Sequence, residues 1–403
     1  MPSSEPAKQA APAASKRRSA NLVLFLTVFF DLLGFGIVIP FLPMFAARLG
    51  IGGAKVGLIL SAYSAMQLVF APLLGRLSDR IGRRPVIMVG LLGSSIGYLI
   101  YGFAGSFAML LLSRAAHGAC AATISTAQAY VADTTEESRR AHAMGMIGAA
   151  FGLGFVLGPA VGGLLGRSGL RVPVFFAAAL TFANLIFAAI ALPESKPAGE
   201  TQPAQPRASI LGLPERLGRH RELARLYGIG FMLTLAMAAL EATFALTVPI
   251  VYGYAAAGIG GLLAFAGLIQ ALTQGYLVGK LAPRIGEPAL LKIGALALAI
   301  GLAPIGSWRS DGGLYAMLAM VAAGYGFGTT SVATMVSRRS ANDLQGEALG
   351  LNQAALSLAR ILGPIFGGLV FQTIGPAAPY LGGAAVAVGA LVIASGTDGR
   401  AKP

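Results

Sequence analysis

The chain has 403 residues, 56% of them hydrophobic and 11% charged, with 30 Lys and Arg against 16 Asp and Glu and 3 His. Soluble globular proteins carry roughly 25% charged residues, so this chain cannot cover a water-exposed surface of its size, and its mean hydropathy of +0.73 says that most of it faces lipid. That excludes a soluble enzyme, and the net charge of +14 sits in short segments between apolar runs, which excludes a basic groove for nucleic acid.

In chain order, residues 1–21 are rich in Pro, Ala, Ser and Lys and read as a disordered cytoplasmic tail, with no secretory signal. Twelve apolar runs follow, each near the ~20 residues that cross a bilayer as a helix. They lie at roughly 22–45, 56–75, 86–104, 107–131, 143–165 and 172–192, then 226–252, 258–280, 288–306, 313–337, 347–371 and 378–395. A polar, Pro-rich linker at 193–225 separates the two sets, and a short tail covers 396–403. The expected fold is an all-α membrane protein of twelve transmembrane helices in two six-helix bundles, 22–192 and 226–395. Lys and Arg concentrate in the two tails, the linker and alternate loops, leaving Arg48, Lys55, Arg167, Arg171 and Arg309 on the opposite side. The positive-inside bias then places both termini in the cytoplasm. The single cysteine, Cys120, forms no internal disulfide, and no metal-ligand spacing occurs, so no metal and no cofactor are expected.

The halves repeat at an offset of about 205 residues. Gly75-Arg-Leu-Ser-Asp-Arg-Ile-Gly82 aligns with Gly279-Lys-Leu-Ala-Pro-Arg-Ile-Gly286, and Gly158-Pro-Ala-Val-Gly-Gly163 with Gly363-Pro-Ile-Phe-Gly-Gly368. Such pseudo-symmetry places a substrate site between the bundles, near the bilayer midplane.

In the first motif, Gly75 and Gly82 permit a tight reversal between helices two and three. Asp79 stands among Arg76, Arg80, Arg83 and Arg84 and is suited to cap a helix or to pair across the bundle interface. Its repeat partner is Pro283, so an ionic latch would act on one half alone. In the fifth helix, Gly154, Gly158, Gly162 and Gly163 give small-residue spacing for close helix approach, and Pro159 bends the helix. Residues 75–85 resemble the signature loop of the major facilitator superfamily. The stretch Gly154–Gly163 resembles the motif of that superfamily's drug:proton antiporters, and Leu110 to Gly118 its intramembrane arginine motif. His117 and Cys120 depart from the last of these, where the family carries Gln and Gly. Phe175–Leu180 and Leu192-Pro-Glu-Ser195 are similar to the tetracycline-efflux-like branch. The resemblance implies the major facilitator fold, export, a cytoplasmic gating role for Gly75, Asp79, Arg80, Gly82, Arg83 and Arg84, and a bacterial inner membrane.

Asp31 and Glu241 are the acidic residues lying well inside apolar runs, with Arg114, Arg360 and His117 as companions. A charge at the centre of a spanning helix costs at least ~2.5–3.5 kcal/mol, which makes each a candidate for function. At ~1.5 Å per residue, Asp31 lies about 14 Å from the cytoplasmic end of its helix and the other three about 20–22 Å, so Asp31–Arg114 and Glu241–Arg360 pairs are geometrically allowed. Static pairs would give the same sequence. His117 reads equally as a core histidine. Gln67, Gln128, Gln270, Asn352 and Gln353 are candidate cavity hydrogen bonders, and Tyr63, Tyr130, Phe35 and Phe244 a candidate aromatic wall, with ordinary packing as the alternative for each.

The function expected is secondary active efflux of a small amphipathic compound, such as a tetracycline-like molecule, by a monomer that alternates access and is driven by the proton gradient. Asp31 and Glu241 would exchange protons for substrate. No nucleotide-binding loop, nucleophile–base pair or metal cluster points to an enzyme. A proton-coupled importer or facilitator of sugars or metabolites stays open, as does a non-transporting receptor or scaffold.

Overall fold

The computed structural model describes residues 6–135, 137–195, 221–340 and 345–396. The expected linker between 196 and 220 and the tail beyond Gly396 lie outside the described residues. All regular elements among the described residues are helices. Helical backbone begins at Pro6, within the stretch expected as a disordered tail; its alanines favour helix.

The spans are α1 (Leu22–Arg48), α2 (Gly53–Ile81), α3 (Arg83–Gly102), α4 (Phe107–Thr134), α5 (Glu137–Gly166) and α6 (Val172–Ala191). The second set is α7 (Arg221–Tyr252), α8 (Ala256–Ile285), α9 (Glu287–Leu302), α10 (Asp311–Arg339), α11 (Gln345–Thr373) and α12 (Ala378–Ser395). Eleven are long and apolar enough to cross a membrane. The sixteen-residue α9 reaches about 24 Å at ~1.5 Å per residue. The expected twelve-helix membrane fold is borne out.

Three spans are interrupted. Pro40 removes a backbone donor in α1, and the chain passes through a 3-10 turn at Ile39–Phe41. In α4 the helix stops at Cys120 and restarts at Thr123. In α8 one π-helical turn occupies Thr273–Leu277.

The packing repeats between halves. α1 packs on α5 and α6, α2 on α4, and α3 on α4 and α6; α7 packs on α11 and α12, α8 on α10, and α9 on α10 and α12. The bundles meet along two seams, α2 against α11 and α5 against α8, which exchange under the pseudo-symmetry.

The aligned glycine motifs serve packing within each bundle and at the seams between them. A Cβ on Gly158 would stand 2.6 Å from Gly36 Cα of α1, and one on Gly363 would stand 2.8 Å from the Leu235 carbonyl of α7. The last glycine of each motif turns to the other bundle, Gly163 to Gly260 and Ala257 of α8, Gly368 to Gly53 and Gly57 of α2. The Gly163 and Gly368 crossings lie toward the end opposite the Lys- and Arg-rich loops, whereas those of Gly158 and Gly363 lie nearer the middle of the spans. At the basic end the seams part. A side chain at Gly145 or Gly148 of α5, Gly275 or Gly279 of α8, or Gly350 of α11 would meet nothing within 4 Å. The molecule is thus closed at the far end and open between the bundles toward the basic end.

Candidate functional site

The closed end and the open cleft converge on the middle of the spans, where the intramembrane charges lie. Arg114 of α4 is 1% exposed. Its guanidinium carbon lies 5.6 Å from the Tyr98 ring centroid and 5.5 Å from that of Tyr101, both on α3. Its Nη2 donates to Ser113 Oγ at 3.3 Å, while Nε and Nη1 have no acceptor in the structure. Two π faces offset part of the burial cost of the cation, but the hydrogen-bonding capacity of this group is largely unused.

His117 lies one turn along α4. Its ring meets Tyr98 (4.8 Å), Tyr63 (5.0 Å) and Phe35 (6.1 Å) nearly edge-on, and its Nδ1 has no partner. Phe35 also packs on Tyr63 at 5.2 Å and on Phe155 of α5 at 5.9 Å. Of the expected aromatic wall, Tyr63 and Phe35 therefore belong to this cluster. Tyr130 does not; its hydroxyl donates to the Pro193 carbonyl at 3.0 Å, at the basic end. Phe244 is buried in the core of the second bundle.

Asp31 is half-buried and lies beside Thr123, the first residue of the restarted half of α4. Thr123 opens the restarted half-helix, whose first N–H groups have no intrahelical acceptor. The break frees the Ala121 carbonyl, and Gln67 of α2 answers it, donating from Nε2 at 3.2 Å. Non-helical backbone at membrane depth is tolerated where it is buried in protein, and Ala122 and Thr123 are buried here.

In the second bundle Glu241 is exposed although it lies midway along α7 between buried neighbours. Arg360 of α11 and Tyr325 of α10 stand within its electrostatic reach. Tyr63 joins the halves, because Asp31, Arg114 and, across the cleft, Arg360 all act on it. Tyr63 and Arg360 are half-buried, as Asp31 is, whereas Arg114 is enclosed within the first bundle. Neither Asp31–Arg114 nor Glu241–Arg360 is in direct ion-pair contact. Arg114 is turned toward α3 and Asp31 toward the break in α4, so the two are drawn apart. Asn352 is buried with its Oδ1 unpartnered, Gln270 is half-buried, and Gln128 and Gln353 are exposed.

The basic end holds a second constellation. Gly75 is not part of a reversal: α2 continues to Ile81, and Gly75 is buried inside it, its carbonyl accepting from Ser78 Oγ at 2.7 Å. The reversal falls on Gly82 alone, at φ 103°, where a Cβ would also strike the Glu194 carboxylate. Asp79 neither caps a helix nor crosses to the other bundle. It pairs across the Gly82 turn with Arg83 Nη1 of α3 at 2.6 Å, and Arg83 Nε binds Asp133 Oδ2 of α4 at 2.9 Å. The cap on α3 comes from Glu194, just past α6, whose two oxygens accept from the backbone N–H groups of Arg83 (2.9 Å) and Arg84 (3.2 Å). The Arg84 side chain donates to the Ala189 carbonyl, and Arg80 is exposed. Asp133 and Glu194 escaped the sequence reading because they lie 50 and 111 residues from Arg83.

The sequence profile of the Major Facilitator Superfamily matches residues 24–364 and 231–400. The tetracycline resistance protein, class C, of Escherichia coli is 33% identical over 354 residues, covering 87% of this chain and 89% of that protein. Multidrug resistance protein 1 of Bacillus subtilis is 30% identical over 363 residues, covering 89% and 91%. Among solved structures, the human organic anion transporter MFSD10 (TETRAN) superposes with a TM-score of 0.68 at 25% identity, covering 94% of this chain and 99% of that one.

Proposed function

Since the chain belongs to the Major Facilitator Superfamily and is an integral multi-pass membrane transporter, we propose that it exports a small amphipathic compound in exchange for protons, by alternating access. The observation that carries this reading is the pair of intramembrane carboxylates, Asp31 on α1 and Glu241 on α7. They occupy the first helix of each bundle and face a cleft that is closed at one end. Carboxylates in that position can trade a proton for a substrate. If protonation stabilises one access state and substrate the other, the two are exchanged by linkage. The names of the relatives, tetracycline resistance and multidrug resistance proteins, make tetracycline-like molecules the first compounds to test.

The basic end, and with it both termini, is assigned to the cytoplasm of a bacterial inner membrane. The cleft is then open inward, the state that loads an exported compound. Asp79, Arg83, Asp133 and Glu194 hold α2, α3, α4 and α6 together at that end as one body. The first bundle can therefore rock without splaying, and Arg76 and Arg80 remain exposed to meet the second bundle when the cleft closes. The motor is the proton gradient, with no bound cofactor and one copy of the chain per working unit.

The test begins with a susceptibility panel in a pump-deficient host, followed by the purified protein in liposomes carrying an internal pH dye. A compound protected against in cells should drive proton movement opposite to its own. Asp31→Asn should abolish that movement while the protein stays folded. Undiminished antiport in the variant removes Asp31 from the mechanism, and proton movement in the same direction as the compound replaces efflux by symport.

A further inference from the structure

The N-terminus of α2 has no cap of its own. Its sequence, Ile51-Gly-Gly-Ala-Lys-Val, puts Gly52 at the N-cap position, with no side chain to accept from the first free N–H groups. At the same end of the molecule, α4 and α10 carry their own caps. Ser106 Oγ accepts from Met109 N–H at 3.3 Å and Ser310 Oγ from Gly313 N–H at 3.3 Å. The acceptor for α2 comes instead from the other bundle. Gln372, in the last turn of α11, accepts the Ala54 N–H on its Oε1 at 3.0 Å. Gly52 is required for this approach, since a Cβ there would stand 2.6 Å from the same oxygen. One further bond ties the seam nearer the midplane, from Ser61 Oγ to the Ile361 carbonyl at 2.5 Å.

The pseudo-symmetric seam lacks this feature. The repeat that aligns Gly163 with Gly368 sets Arg167 opposite Gln372, and an arginine side chain has only donors. Ala255, at the N-cap of α8, receives no side-chain cap. The two seams thus share their glycine packing but not their polar bonds, and at the far end the difference is the Ala54–Gln372 bond. That bond exists only while the far ends of α2 and α11 touch, because its donor and acceptor belong to bodies that separate when that end opens.

We propose that Gln372 is a positioning residue of the transport cycle: its amide caps α2 across the bundle seam only in the closed-outside state and so sets the balance between the two access states. The proposal rests on the alternating-access reading above, and names the residue that biases it. A helix cap lost to Ala is equivalent to about a 2- to 30-fold change in an equilibrium. Gln372→Ala and Gln372→Leu should shift the access equilibrium toward outside-open by that factor. Gln372→Glu retains an acceptor, improved by its charge at a helix N-terminus, and should leave the balance at or beyond the parent's closed value.

The experiment uses the full chain in lipid nanodiscs, with two readouts that need no substrate. Hydrogen exchange of the peptide carrying residues 52–57 reports the cap. Spin-label distances between Ser168→Cys and Ser307→Cys, in a Cys120→Ser background, report separation of the bundles at the far end. Expected are exchange faster by about 2- to 30-fold in the Ala and Leu variants with a larger long-distance population, and neither change in the Glu variant. Faster exchange without a longer distance would make the cap a local feature and overturn the gating role. An equal shift in the Glu variant would assign the effect to packing, and unchanged exchange in the Ala variant would remove the cap. If these shifts occur in a protein that moves no proton against any compound, the gate stands and the antiport reading fails.

Discussion

The basic ends of the two bundles start from nearly the same eight residues and arrive at different chemistry. In the first bundle, Gly75-Arg-Leu-Ser-Asp-Arg-Ile-Gly82 leads into a network in which Arg83, its side chain 5% exposed, binds Asp79 and Asp133 while Glu194 caps the following helix. In the second, Gly279-Lys-Leu-Ala-Pro-Arg-Ile-Gly286 makes the same turn, with Gly286 at φ 82°. The acid at the Asp79 position is there a proline. The turn is followed by Glu287, paired with an Arg338 whose side chain is 68% exposed, at 2.7 Å. A second pair, Arg339–Glu222, spans 3.7 Å. One half is clamped by a buried cation serving two carboxylates and the other by pairs open to water. Duplication preserved the backbone turn, which needs only a glycine, and let the ion chemistry diverge.

The halves also differ in their intramembrane acids. Asp31 sits at the broken α4 beside Thr123, whereas Glu241 is exposed on an unbroken α7. The largest expected effect tests this difference. Asp31→Asn should reduce proton-coupled transport to the background of empty liposomes, and Glu241→Gln should leave measurable coupled flux, about tenfold lower, corresponding to ~1.4 kcal/mol. Equal loss in both variants would make the halves equivalent.

The clamp comes next. Arg83→Met strips a nearly buried cation from two carboxylates and should cost about 3–5 kcal/mol, the magnitude for breaking a buried ion pair from one side. Arg338→Met should cost at most about 1 kcal/mol, because an exposed pair is weak and screened. Thermal unfolding in one detergent and lipid mixture compares the two, and raising the salt concentration should erase the smaller effect first. The smallest effect separates packing glycines from idle ones. Gly158→Ala, whose Cβ would meet Gly36 at 2.6 Å, should lower the melting temperature. Gly148→Ala, which meets nothing within 4 Å, should hold it or raise it by the equivalent of up to about 1 kcal/mol. A destabilising Gly148→Ala would mean that the basic end of α5 is packed in the state that unfolds.

Much of this was legible before any coordinates. Hydropathy marks the spans, because lipid tolerates few alternatives to a continuous apolar helix. The glycine motifs announce the seams, because only a residue without a Cβ lets two helices touch. Asp31, Arg114, Glu241 and Arg360 are conspicuous because a buried charge is expensive. Less legible were the roles of polar residues outside the apolar runs. Gly75 looked like half of a turn and is a buried helical residue. Asp79 looked like a cap and is an ion-pair partner for Arg83 across the turn into the next helix. Asp133, Glu194 and Gln372 carried no local signal, since each acts on a backbone or side chain far away in sequence.

What the sequence determined by itself is everything that depends on the solvent and on the chain's own period: the number of spans, the repeat, and which residues carry charge inside the membrane. What only the tertiary structure decided is direction and partnership. Arg114 turns to two tyrosines instead of to Asp31, α4 breaks at Cys120–Thr123, the seams close at one end, and α2 is capped by the opposite bundle. The reason is range. Hydrophobic burial acts on every residue in a run and survives any rearrangement of its neighbours, whereas a hydrogen bond or ion pair is fixed only when two distant segments are brought within about 3 Å.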